Sequence, residues 1–289
     1  MPIRGVRQLS DALTSDGSFW YSYFHKTGGP ALIGAGRWGD MSMGAGTPKY
    51  NAYVGGQTTA TPLSGSGNDG IFLGPTPPAG QTKHIHSLAL QSSSTVLAPS
   101  RFILCDYLLH YPLVDGDSTD QQDMDNTLSI PRYADGAGVQ CMVVCTTPMS
   151  ANAVATVSYV NQAGDTKTST FSLLFSTAVG AIISSSDTSN SANSGAPFIP
   201  LAGGDTGIRS INSITLSSGA GGFFALVLVK PLFGINLTEA NTATESFLLM
   251  NNGASMPKVE NGAYLNFIYI TGGTGSAVTL RGELVTVWK

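Results

Sequence analysis

His84 and His86 stand at alternate positions in Lys83-His-Ile-His86. On an extended strand alternate side chains share a face, so both imidazoles could approach one metal ion. No third histidine or carboxylate stands at a matching spacing, and the pair reads equally as the polar face of a strand. A second cluster is acidic: Asp115, Asp117, Asp120, Asp123 and Asp125 crowd a loop that could offer calcium hard oxygen ligands. That loop lacks the central glycine and the closing glutamate of an EF-hand. No metal and no other cofactor is expected; His84, His86, Asp115 and Asp117 are the residues that would hold one.

Nucleophile and phosphate chemistry leave no trace in the chain. Ser64-Gly-Ser-Gly67 is not the G-x-S-x-G elbow, and no G-x-x-x-x-G-K-[ST] loop occurs. Paired carboxylates for glycoside cleavage are defined by distance in space, so a hydrolase stays open as a third reading. The expectation is nevertheless a non-enzyme. The feature that points to a partner is the aromatic cluster Phe19, Trp20, Tyr21, Tyr23 and Phe24. It is either local core or a docking surface; if it docks, Trp20 and Tyr23 act as buried anchors.

The elements that position these residues are strands. Phe102-Ile-Leu-Cys-Asp-Tyr-Leu-Leu-His-Tyr111 and Gly138-Val-Gln-Cys-Met-Val-Val-Cys145 lack polar alternation, which predicts burial on two faces. A loop of roughly 25 residues between two core strands is unusual in a compact domain. It is therefore expected to be functional or held from outside the domain. Residues 153–161 and 166–175 form a hairpin across Gln-Ala-Gly-Asp165, residues 264–271 and 277–288 a final one. Further strands are expected at 84–90, 208–216 and 222–230, the last ended by Pro231, which cannot donate to a ladder. Ser184–Ser194 is a polar loop, and Arg7–Leu13 has room for one or two helical turns.

These elements predict an all-β protein, an antiparallel β-sandwich or jelly-roll-like domain over residues 81–289. Residues 1–80 are expected to be an extended, loop-rich N-terminal arm dense in Gly and Pro. Its aromatic rings are too many for a solvated linker, so the arm should pack on another surface.

Only 11% of the 289 residues are charged and 35 are glycine, against about 25% charged in an ordinary domain. Mean hydropathy is +0.11. A surface made of neutral Ser, Thr, Asn and Gly implies contact with neighbouring subunits. The net charge of −4, with no basic stripe, argues against nucleic acid. No apolar run spans a bilayer, and the N-terminus lacks a signal-peptide core, so no membrane and no export are expected. Cys141 and Cys145 sit roughly 13 Å apart on one strand, too far for a disulfide; buried free thiols are expected, Cys105 included.

The layout resembles virion proteins of tailed bacteriophages, in particular capsid-associated or decoration proteins. The resemblance is carried by Gly36-Arg-Trp-Gly-Asp-Met-Ser-Met43, Tyr53-Val-Gly-Gly-Gln-Thr-Thr-Ala-Thr-Pro-Leu63, Lys83-His-Ile-His86 and Tyr107-Leu-Leu-His-Tyr-Pro112. It implies a structural subunit of the particle, a capsid cement or decoration protein made in the host bacterial cytoplasm. Its partners would be the major capsid protein, other virion proteins and copies of itself, a trimer favoured. The alternative is a carbohydrate- or receptor-binding β-sandwich module of a phage tail or fibre.

Overall fold

Two long strands set the architecture, and both are apolar on two faces. In a computed structural model, residues 3, 5–14, 17–27, 33–65, 69–93, 99–185, 195–247, 256–272 and 279–289 are described. The central sheet runs in the order β2 (Trp38–Asp40), β15 (Leu265–Thr271), β6 (Ser100–Asp115), β13 (Phe223–Leu237), β8 (Gln140–Cys145). A short β4 (Thr61–Pro62) pairs beside β6. Along β13, Phe224, Leu226 and Leu228 enter one core cluster, while Ala225, Val227 and Val229 enter another. In β8, Cys141, Val143 and Cys145 alternate in the same way with Met142 and Val144. Two-sided burial, expected from the missing polar alternation, is what β6 and β8 show.

Two further antiparallel sheets join the first of these clusters. Sheet one has the order β14 (Thr244–Phe247), β5 (Lys83–Ser92), β16 (Leu280–Trp288), β1 (Phe19–Lys26), β3 (Gly46–Thr47). Sheet two has the order β11 (Ser184–Ser185), β10 (Thr166–Leu173), β9 (Ala153–Asn161), β12 (Ile208–Leu216), β7 (Gln122–Asp123). Phe24 of β1 meets Phe267 of β15 at 5.2 Å between ring centroids. Tyr111 of β6 accepts the Ile211 N–H of β12 on its hydroxyl at 3.2 Å. The fold is thus an all-β antiparallel sandwich with a single short α-helix, α1 (Val6–Thr14), among the described residues.

Several expectations need correction. Leu265–Thr271 and Leu280–Trp288 form strands but not a hairpin: β15 pairs with β6 and β2, whereas β16 pairs with β1 and β5. Pro231 does not end its strand. A register shift between Pro231 and Phe233 absorbs the missing donor, and β13 continues to Leu237 against β6. The 153–173 hairpin forms with Thr166 opposite Val160. Part of the polar loop expected at Ser184–Ser194 lies outside the described residues.

The long acidic loop is held by contacts within the chain. Arg132 grips Asp106 through Nε at 2.9 Å and Nη2 at 2.7 Å, and donates to the Leu63 and Tyr107 carbonyls. Met124 and Ile130 bury their side chains, and β7 pairs with β12. Breaking such a buried, forked ion pair from one side leaves an uncompensated charge, at a cost of about 3–5 kcal/mol.

The expected N-terminal arm is woven into the sandwich. β1, β2, β3 and β4 pair with strands from later in the chain or with one another. Trp38, Met43 and Tyr53 cover the reverse face of the central sheet. Many of the arm's rings therefore find their surface within the same molecule, but not all of them do.

Candidate functional site

Strand parity divides the aromatic cluster. Ser22, Phe24 and Lys26 are buried on the inward row, which Trp20 shares at its part-exposed end; Phe19, Tyr21, Tyr23 and His25 stand on the outward row. Phe24 is core, 3% exposed, whereas Trp20, Tyr21 and Tyr23 are 39%, 48% and 71% exposed. The outward row continues across the ladder, where Val285 lies beside Tyr21 and Glu283 beside Tyr23. Ala89 of β5 follows next to Glu283.

α1 covers one end of this face. Its Leu9 and Ala12 pack with Ile3, Met256 and Val287, with Leu13 at their margin. Between the helix and the sheet lies a hollow of about 260 Å³ bordered by Leu13, Phe19, Tyr21 and Val285. A shallower one of about 410 Å³ opens beside Tyr23, His25, Gln91, Arg281 and Glu283. Arg281 donates from Nε to the Gln91 side-chain oxygen at 3.0 Å.

Beneath β1, two buried lysines fix the Gly- and Pro-rich segments that frame it. Lys26 donates from Nζ to the Gly44 and Pro48 carbonyls, each at 2.7 Å. Lys83 donates to those of Leu73 and Pro75, also at 2.7 Å, and sits 5.0 Å over the Trp288 ring. Burial pushes both ammonium groups down to about 8, and for Lys26 nearby Asp40 opposes that shift. The pinned 72–74 segment then supports Trp20, whose ring meets Phe72 edge-on at 5.7 Å. Gly74 has φ +78°, and a Cβ there would collide with the Trp20 ring. The exposed aromatic face thus rests on a rigid base.

A second polar cluster lies within the protein. Asp40 accepts from the Tyr107 hydroxyl at 2.7 Å, from the Ser42 N–H and hydroxyl at 2.9 Å each, and from Tyr53. Burial pushes the Asp40 carboxyl up while those hydrogen bonds oppose it, and burial beside Asp40 pushes both tyrosines well up. Asp40 is fully buried. The group ties β2, at the edge of the central sheet, and the following 3₁₀ turn, Met41–Met43, to Tyr107 of β6.

The remaining candidates stay apart. His84 is buried, with Nδ1 3.1 Å from the Met256 carbonyl. A register shift between Val285 and Thr286 of β16 falls opposite His86, which borders the helix-side hollow. Burial lowers both imidazoles. Asp115 accepts the Asp117 N–H at 2.9 Å, and the Gln122 side chain bridges the Asp115 backbone. Among the described residues no three His, Cys, Asp or Glu side chains converge as a metal site would require. Cys105, Cys141 and Cys145 are free and buried. No helix among the described residues is long and apolar enough to cross a membrane.

Sequence reasoning missed the buried Lys26, Lys83, Asp40 and the Arg132–Asp106 pair. The one available signal was parity: in Trp20-Tyr-Ser-Tyr-Phe-His-Lys26 the lysine falls on the inward row.

No protein-family model matches the chain, and no curated protein matches it. Weak structural neighbours are viral capsid proteins. One is a mutant VP2 protein of infectious bursal disease virus in derived T=1 particles, 12% identical, covering 98% of this chain and 83% of that one, with a TM-score of 0.18. Another is the VP2 subviral particle of the same virus, 12% identical, covering 98% and 86%, with a TM-score of 0.19. These neighbours do not single out a tailed phage, and at such TM-scores neither fold nor function passes from them to this chain.

Proposed function

We propose that this chain is a non-enzymatic structural subunit of a phage particle, a capsid cement or decoration protein. In this reading it is made in the host bacterial cytoplasm, enters the virion, and binds the major capsid protein, other virion proteins or its own copies. The observation that carries it is the exposure of Tyr21 and Tyr23, at 48% and 71%, side by side on the outward row of a strand whose base is pinned from within. Rings held on a paired strand have already lost most of their freedom, so docking costs them little further entropy. They offer large apolar bodies with polar tips, the usual anchors of a protein interface. Buried charge points the same way. Lys26, Asp40, Lys83, Asp106 and Arg132 all lie inside, which leaves the surface of a sparsely charged chain more neutral still.

Labelling the protein in purified particles and locating it by electron cryo-microscopy tests this reading. A position on the shell, with melting of depleted shells raised when the protein is added back, is the expected result. Absence from particles refutes it. The second reading, a carbohydrate- or receptor-binding module, draws on the hollow beside Tyr23, where Gln91, Arg281 and Glu283 surround an exposed ring. Retention on a glycan array with loss on Tyr23→Ala would favour it instead.

A further inference from the structure

Sheet edges are templates for pairing, and proteins blunt them with short strands, charges, proline or a covering segment. Most edges here follow that rule. β7 and β11 have two residues each, β2 three and β14 four. β8 is covered, since Ile199 donates to the Cys141 carbonyl, Ile183 to that of Val143, and Val144 bridges to Ile182. Beyond β11, the edge of β10 reads Thr-Lys-Thr-Ser-Thr170, with Lys167 on its inward row. β1 is the exception. β16 pairs with all eight of its residues, but β3 meets only His25 and Lys26 on the other side. Among the described residues, Phe19–Phe24 have no ladder partner along that second edge. The stretch holds no proline and no charge.

We infer that this edge is a self-complementary seam: β1 pairs antiparallel with β1 of a second copy about a two-fold axis at Tyr21. Strand parity selects the register. Outward residues must face outward ones, so the axis passes through a residue rather than between two. An axis at Ser22 would set Phe19 opposite His25, which β3 already occupies. An axis at Tyr21 keeps to the free stretch, with Phe19 opposite Tyr23, Tyr21 opposite itself, and Trp20 opposite Ser22. The outward row then becomes a continuous aromatic ladder across two subunits, the kind of cross-strand pairing that stabilises sheets. No like charges meet, because the one charged residue of the strand, Lys26, is turned inward onto carbonyls. A trimer contains no two-fold axis, so in a trimeric subunit this seam joins one trimer to the next. The inference deepens the assembly reading and rests on it for its place in a particle.

The test is sedimentation equilibrium of the full chain with charge variants at the axis. Tyr21→Glu and Tyr21→Lys should each weaken self-association by about tenfold or more, because like charges meet across the axis. An equimolar mixture of the two should restore it, and Thr170→Glu on the other edge should leave it unchanged. Tyr21 is half exposed, and an unchanged melting temperature confirms that the variants fold. As a second measurement, Tyr21→Cys should form an intersubunit disulfide on mild oxidation, since directly opposed residues have Cα atoms about 4.5–5.5 Å apart. Wild-type protein that stays monomeric at its highest soluble concentration, or a mixture no tighter than either variant alone, overturns the seam. Absence of wild-type protein from particles refutes the virion role without bearing on the sedimentation result.

Discussion

On the outer face of β9 and β10 stand Thr156, Ser158, Thr168 and Thr170, with the Thr156 and Thr170 hydroxyls 3.2 Å apart. On the outer face of β1 stand Phe19, Tyr21 and Tyr23. Both sheets turn their other side to one shared core, where Phe171 and Tyr159 are buried in sheet two as Phe24 and Leu284 are in sheet one. The inner rows answer to the same demand, removal of apolar area from water, and look alike. The outer rows are free of it and differ, so their composition records what each face meets. Threonine rows suit water; the tyrosine row is the one proposed above to meet another protein.

The largest expected effect tests whether the inner rows are equivalent. Phe24→Ala and Phe171→Ala should each cost about 3–5 kcal/mol in denaturant unfolding, through lost transfer energy and the cavity left behind. A Phe24 variant far cheaper than its counterpart would make sheet one a loosely held layer, and its outer row would then be a poor platform for docking. Next comes the base of that platform. The Lys26 ammonium is held near 8 when folded, against 10.5 as its ordinary value. Above pH 8 the folded chain releases this proton before the unfolded one does, so the contribution of Lys26 to stability rises with pH, by up to about 1.4 kcal/mol per unit. Melting followed from pH 8 towards about 10 should show that slope as the difference between the wild type and Lys26→Met, because Lys83 and the buried cysteines, whose own shifts act in this range, are common to both.

A smaller effect on folding should accompany a larger one on assembly when sheet one is given the outer row of sheet two. Tyr21→Thr with Tyr23→Thr should change unfolding free energy by less than about 1 kcal/mol, since both positions are exposed and threonine suits a strand. Self-association measured by sedimentation should fall about tenfold or more. Equal losses in folding and association would mean that the rings are core after all.

How much of this was legible in the sequence follows from the range of each signal. The hairpin at 153–173 and the two-sided burial of β6 and β8 were readable because period and turn chemistry are local. The separation of β15 from β16 was not, because partner choice among strands depends on residues far along the chain: β16 reaches back to Phe19 and Lys83. Apart from the parity of β1, nothing local marks Lys26 and Lys83 as buried, because the carbonyls that receive them belong to loops with no pattern of their own. Phe19 to Phe24 read as one aromatic patch. The alternation already written in it sets Ser22, Phe24 and Lys26 inside against Tyr21, Tyr23 and His25 outside; only Trp20, on the inward row yet 39% exposed, escapes that division.

The smallest expected effect lies on the threonine face. Thr156→Ala removes one member of an exposed cross-strand hydroxyl pair, an interaction of about 0.2–1 kcal/mol, and water can replace the lost partner. The variant should unfold within that margin of the wild type, and its sedimentation should be unaltered. The result matters because the comparison assumes that an outer row can be changed without disturbing the row behind it. A loss near that of Phe171→Ala would show that the Thr156–Thr170 contact fixes the pairing of β9 with β10. Residues on both faces of a sheet would then share in holding it together, and the exposed tyrosines of β1 could no longer be assigned to a partner on the ground that folding does not need them.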